Sequence, residues 1–421
     1  MRGESEIVIT GMGVVSPIGI GGDALWASLC ARRSGVRDLA LFQGPALPVS
    51  FGANVADFDP KQSVRPRKSL KVMSRDIQMA FAAADAACRE AGHHNTPFDS
   101  ERMGVLFGAE PIPCDLDELV GAFRSCIVDG RFDFRLWGEK ALPEMFPLWM
   151  LKYLPNMPAC HIAIAQDARG PNNSITLGDV SSLLALAEAV RVIERGQADV
   201  IVAGGASSRI SPALWVRSGV FEFTRRGENP AAASRPFDAD RAGAVAGEGA
   251  AAFVLETRRH AASRGATILG RVLGFAAAFE PQRDGRPRTG SAIRAAIVRA
   301  LDAARLTPDD VGHVNAHGPG TYHDDRIEAQ AIRATLGDVP VFAPKSFFGN
   351  LGPGGGAVEM AASIMALAHE RVPPTLNYEH PDPECPVNVV CGGGEPSRRP
   401  TALLLNHTPY GQAAAVVLAA A

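Results

Sequence analysis

The chain has 421 residues, of which 46% are hydrophobic, 21% charged and 6% aromatic, and its formal net charge is -3. That length is too great for one ordinary core and points to two units or a duplicated one, with the composition of a soluble globular protein. The near-neutral charge, without a long basic run, argues against nucleic-acid binding, and no stretch reaches the roughly 20 apolar residues that span a bilayer.

The chain opens on a polar segment, Met1 to Glu6, followed by the short run Ile7-Val-Ile-Thr10, so no secretory signal is expected. Seven dispersed cysteines without a Cys-x-x-Cys pair argue for reduced thiols and a cytoplasmic setting, not for disulfides or a zinc site. Ile7 to Thr10 predicts a strand running into Gly11-Met-Gly13. That turn lacks the third glycine and the immediate helix of a nucleotide-binding loop. Asp23 predicts a capped helix over Ala24 to Leu29. The basic stretch Arg65 to Lys71 reads as a solvated loop. A longer helix is expected from about Ser74 to Ala91 and a strand from Arg102 to Gly108. Residues 110–170 are irregular, Pro-rich and aromatic, which suggests an interface or a lid.

Pro171 to Glu194 then reads as a short strand, a tight turn at Gly178-Asp179, and a buried helix carrying Val180, Leu183, Leu184, Ala187 and Val190 at helical spacing. Strands follow at Asp199 to Gly205 and Gly249 to Glu256. The pattern then begins again: a strand at Gly270 to Phe275, a helix at Ser291 to Ala304, a strand at His313 to Ala316, and a helix from about Asp325. A strand at Val339 to Lys345, a Gly-rich stretch 349–356 with a helix to His369, and strands at Ala402 to Asn406 and Ala415 to Leu418 complete it. The halves, 1–257 and 268–421, have similar element orders, with a polar linker at Thr257 to Ala266; the expected class is a duplicated α/β fold with mixed sheets.

Three segments each end a strand and open a helix: Leu177-Gly-Asp179, Asn315 to Thr321, and Pro344 to Asn350. Strand C-terminal ends converge on one crevice in such folds, so Asp179, His317, Lys345 and Asn350 are expected to meet. An Asp and a His there could serve as base and orienter, while an Asp at a helix start is also a common N-cap, worth roughly 1 kcal/mol.

The chain resembles the β-ketoacyl synthases, the condensing enzymes of the thiolase fold in fatty acid and polyketide synthesis. The resemblance rests on Ile7 to Gly19, Ala198 to Gly205, Ser234 to Gly249, Asn315-Ala-His-Gly-Pro-Gly-Thr321 with Asp325 and Glu328 downstream, and Lys345-Ser-Phe-Phe-Gly-Asn350. It implies a thiolase-like five-layer αβαβα architecture, an obligate dimer, and a buried pocket reached by acyl groups carried on the phosphopantetheine of an acyl carrier protein, with no other cofactor and no metal.

The departures fall on the chemistry. The family's nucleophilic cysteine, in a pattern like Thr-Ala-Cys-Ala-Ser-Gly, corresponds to Asp179. Its first histidine matches His317, and its second corresponds to Asn350. The C-terminal Gly-rich loop appears as Thr408 to Gln412, and Cys160 lies on a different element from the nucleophile. A carboxylate is a poor acyl acceptor, because the product anhydride is itself activated, so ordinary two-step condensation is not expected. Two readings follow. One is a chain-length-factor-like partner in a heterodimer with an active ketosynthase. The other is a repurposed acyl-thioester enzyme (hydrolase, dehydratase or acyltransferase), as a homodimer, with Asp179 and His317 as catalytic pair supported by Asn350, Lys345 and Glu328.

Overall fold

A computed structural model describes residues 6–39, 49–95, 98–216, 223–282 and 287–421; the first five residues of the polar N-terminal segment lie outside these. Strand β1 (Ile7–Ser16) is buried at every position. Its glycines belong to packing and not to a nucleotide site: a Cβ on Gly11 would lie 2.1 Å from the carbonyl oxygen of Ala87, and one on Gly13 1.9 Å from that of Ala83. Both carbonyls belong to α2 (Arg75–Glu90), whose N-cap Ser74 accepts from the Ile77 amide. Helix α1 (Gly22–Cys30) has Gly21 at its N-cap and no side-chain cap, so Asp23 acts only through its charge in the first turn and not as the expected cap.

Strand β2 (Met103–Gly108) leads into the 110–170 excursion, which is more ordered than expected. It holds helices α3 (Leu116–Ser125) and α4 (Met157–Gln166), joined by short helical turns and a two-residue hairpin. Then come β3 (Asn172–Ile175), α5 (Ser181–Glu194), β4 (Val200–Ser208) and β5 (Glu248–Thr257). The polar stretch after β5 forms a short helix, Arg258–Ser263, capped by the Thr257 side chain. It is pinned to β1 through Glu256, which takes bonds from Arg264, His260 and Thr10.

The second stretch contains β6 (Gly270–Phe279), α6 (Ser291–Ala304), β7 (His313–Asn315), α7 (Tyr322–Leu336), β8 (Pro340–Phe342), α8 (Gly355–Ala368), β9 (Asn388–Val389), β10 (Thr401–His407) and β11 (Gln412–Ala419). Helix α7 starts at Tyr322, ahead of Asp325. The strand expected over 339–345 stops at Phe342, because Lys345–Phe348 turns into a helical segment.

The strands form one mixed sheet in the order β9-β8-β7-β10-β11-β6-β1-β5-β4-β2-β3. Read outward from the centre, each half runs first strand, last, penultimate, second, third, as a duplication requires. The halves join where β1 meets β6, through Ile7–Val272, Val8–Arg271 and Ile9–Gly270. Helices α5 and α8 touch strands of both halves and each other. They are the middle layer, and α8 is buried from Gly355 to Leu367. Helices α2 and α4 cover the first half, and α6 with α7 covers the second, giving the α-β-α-β-α order. Among the described residues no helix is long and apolar enough to cross a membrane.

The close approach of β1 to α2 yields a prediction. Gly13→Ala must push the helix backbone away and should lower unfolding stability by about 1–3 kcal/mol in urea titration, the range for overpacked cores; an unchanged midpoint would show that the contact yields freely.

Candidate active site

The loop ends at the C-terminal side of β3, β4, β7 and β8 come together around one cavity. After β3 the chain turns through Gly178, at φ +61°, and enters α5. The Ser181 hydroxyl fastens this turn, accepting from the Leu177 amide at 2.8 Å and donating to the Gly178 carbonyl at 2.6 Å. Asp179 makes no capping bond to the helix, so the N-cap role does not fall to it.

The Asp179 carboxylate is 6% exposed and turns away from its own helix toward three donors. Its Oδ1 lies 2.9 Å from Nη2 of Arg209. Its Oδ2 lies 3.3 Å from Nδ2 of Asn350 and 3.7 Å from Nε2 of His317. Arg209 stands just past the end of β4, is itself 2% exposed, and reaches Oε2 of Glu110 at 3.1 Å. Glu110 follows the end of β2 and also takes a bond from the Ser207 hydroxyl. Burial works against the Arg209 charge, but Asp179 and Glu110 outweigh it and hold the guanidinium above its usual range.

His317 is positioned by its backbone. Glu328 accepts from the amides of His317 at 2.7 Å and Gly318 at 2.8 Å, and Asp325 accepts from Gly320 at 2.9 Å and Phe237 at 2.7 Å. Burial pushes the Asp325 carboxyl up to about 7. Both acids thus hold the loop from behind, and neither lines the cavity. The His317 ring is buried, with Nδ1 3.0 Å from Nζ of Lys345 and 3.3 Å from Nδ2 of Asn406. A lysine ammonium offers only donors, so Nδ1 accepts and Nε2 presents its hydrogen toward Asp179. Burial first, then the charges of Lys345 and His407, hold His317 well below the usual histidine range, in its neutral form.

Lys345 pairs with Glu359 of α8. Burial pushes the Glu359 carboxyl up against the opposing pull of Lys345. Glu359 also takes a bond of 2.7 Å from Asn406 of β10. Beside these groups is a cavity of about 130 Å³, with Asp179, His317, Asn350, Arg288, Asp324 and His407 on its walls. The His407 ring packs 4.5 Å from that of His317.

Four of the five expected site residues therefore meet, while Glu328 lies behind the loop, holding its amides, with Oε2 3.5 Å from Nε2 of His407. Arg209, Glu110, Glu359 and His407 were missed. A charged residue just beyond a buried strand signals Arg209 and Glu110, and Glu359 is a lone charge in an otherwise apolar helix, which demands a buried partner.

The charge chain makes a sharp stability prediction. Arg209→Ala leaves two buried carboxylates without their cation and should cost about 3–5 kcal/mol. Replacing all three charges, in E110Q/R209M/D179N, should cost far less. Urea unfolding of the two variants checks this, and a similar loss in both would refute it.

Two family models cover most of the chain: the β-ketoacyl synthase N-terminal domain over residues 4–261 and the C-terminal domain over residues 269–379. The chain is 34% identical to the tetracenomycin polyketide synthase ketoacyl synthase alpha subunit of Streptomyces glaucescens, over 99% of this chain and 97% of that one. It superposes on a type II polyketide ketosynthase (AntDE) solved with its acyl carrier protein (AntF) with a TM-score of 0.82 at 26% identity, covering 99% of this chain and all of that one. It superposes on the ishigamide ketosynthase/chain length factor with a TM-score of 0.85 at 25% identity, again over 99% and 100% of the two chains. The chain is a member of the β-ketoacyl synthase family, with the thiolase-like fold.

Proposed function

We propose that this chain is a non-condensing ketosynthase relative that pairs with an active ketosynthase in the manner of a chain length factor, in polyketide or fatty acid synthesis. The observation that carries this reading is the engagement of Asp179. Where the family places a nucleophile, a carboxylate faces Arg209, Asn350 and the Nε2 hydrogen of His317. A carboxylate used in this way as an acceptor is not an attacking group, and Asn350, whose Nδ2 is directed at Asp179, is not free to polarise a thioester carbonyl.

The surface supports a partner. Strand β3 is the last strand of the sheet, paired only with β2, and so offers an open edge. Beside it, Ile164 on α4 is 78% exposed, and Phe123, Phe132, Phe134 and Met150 of the 110–170 excursion are exposed as well. Phe123, Phe132 and Phe134 gather around Trp137 with ring centroids 5.3–6.4 Å apart, and an exposed apolar cluster of this kind suits an interface. The reading includes acyl groups delivered on the phosphopantetheine of an acyl carrier protein.

The retained set His317, Lys345 and Glu359 favours a second reading, a homodimer that hydrolyses, dehydrates or transfers acyl groups without a covalent intermediate. In it the His317–Asp179 pair moves a proton, which requires their 3.7 Å gap to close when substrate binds.

Co-expression with a cysteine-bearing ketosynthase of the same organism should yield a one-to-one complex, and the isolated chain should neither become acylated nor elongate with malonyl groups. Elongation by the isolated chain would sink the partner reading. Under the second reading the homodimer turns over acyl thioesters and Asp179→Asn lowers the rate at least about a hundredfold, the scale of a lost general base; an unaltered rate ends it.

A further inference from the structure

Away from the crevice, a hollow of about 550 Å³ lies where the end of β1 meets α1. That volume falls within the roughly 300–1,000 Å³ of small-molecule sites. Two buried serines fix its floor. Ser16 donates to the Gly19 carbonyl at 2.8 Å, and Ser28 of α1 donates to that of Ile18. Arg33 and Arg37 stand on its wall. Arg33 donates from Nη2 to the Ser28 hydroxyl at 2.8 Å. Arg37 donates to the carbonyls of Pro17, Gly35 and Asn54 at 3.3–3.4 Å. Between the two arginines, the Gly35 amide donates to the Phe347 carbonyl at 2.7 Å, and a Cβ on Gly35 would lie 2.7 Å from that of Pro17. The stretch that carries both guanidinium groups is therefore fastened to the body of the fold.

What these arginines lack is a counter-ion. Their bonds go to a hydroxyl and to main-chain carbonyls, and among the described residues neither forms an ion pair with a carboxylate. By contrast, Arg75, Arg102, Arg241 and Arg264 each meet an acid. A guanidinium offers five N–H donors in a planar fork that matches an oxyanion, and the Ser28 hydroxyl takes only one end of the Arg33 fork. Asp57 shares the hollow without pairing with either arginine, so two cations face one carboxylate and one positive charge is left in excess. Much of the remaining wall is apolar, with Ile18, Ile20 and Val55.

We propose that this hollow binds a small organic anion, with Arg33 and Arg37 holding an oxyanion head, carboxylate or phosphate, and Ile18, Ile20 and Val55 covering an apolar body. The head group meets donors whose backbone is already fixed, which lowers the ordering cost of binding. The hollow and the Asp179 cavity share no lining residue, so this site stands independently of the pairing and acyl-transfer readings.

Calorimetric titration of the full chain with octanoate, octyl phosphate and octanol tests this. At least one of the two anions should bind one-to-one with a Kd below about 1 mM, and octanol at least about tenfold more weakly. The tighter of the two anions names the head group. Because both arginines are exposed, added salt should weaken the binding. In R33Q/R37Q the anion should bind at least about tenfold more weakly, the scale of a lost charge-assisted hydrogen bond. Ile20→Glu, which places a carboxylate at an exposed position on the same wall, should weaken it similarly while leaving both arginines in place. A native far-ultraviolet spectrum in both variants shows that the fold is kept. Failure of both anions to bind overturns the proposal, as does octanol binding as tightly as the anions. Unchanged anion binding in either variant places the ligand elsewhere and overturns it too.

Discussion

A charge can be kept inside a protein only beside a partner buried with it, and this constraint organises the centre of the molecule. Asp179, Arg209 and Glu110 are carried by three different strand ends, yet each is tolerable only because the other two are in place. The same holds one layer deeper, where Lys345 meets Glu359 and Asn406 ties the pair to β10. The fold supplies these meetings by pointing the ends of β2, β3, β4, β7 and β8 at the crevice above α5 and α8.

The two polar clusters have different consequences. Burial and the Lys345 charge hold His317 neutral, and Lys345 with Asn406 fixes which ring nitrogen faces the cavity. In the Glu110–Arg209–Asp179 group the guanidinium faces both carboxylates. One cluster therefore keeps His317 in order while the other engages Asp179. The proposed pairing with a ketosynthase rests on that combination and on the open edge at β3.

Much of this arrangement was legible in the chain. The repeat of strands and helices gave the duplication, and the three strand-to-helix segments brought Asp179, His317, Lys345 and Asn350 to one crevice. The misses have local causes. Asp23 and Asp179 both sit where a cap is expected, but Gly21 opens one helix without any side-chain cap and Ser181 secures the turn before the other. The excursion after β2 looked irregular because its helices are short and interrupted by proline. Glu328 was placed in the site by the family resemblance; its carboxylate holds the loop's amides from behind and faces His407.

The sequence by itself pointed to the alternation of strands and helices and to the strand-end segments that meet at the cavity, because hydrophobic periodicity, glycine placement and residue type at the strand ends are local properties of the chain; the correspondence of Asp179 to a family cysteine came from the resemblance. Only the tertiary structure decided what the replacing carboxylate does. Arg209 and Glu110 lie 30 and 69 positions from Asp179 along the chain by their numbers, and no local pattern links them. Their pairing is a matter of through-space distance in a medium that screens charge poorly, and that distance exists only once β2, β3 and β4 lie side by side.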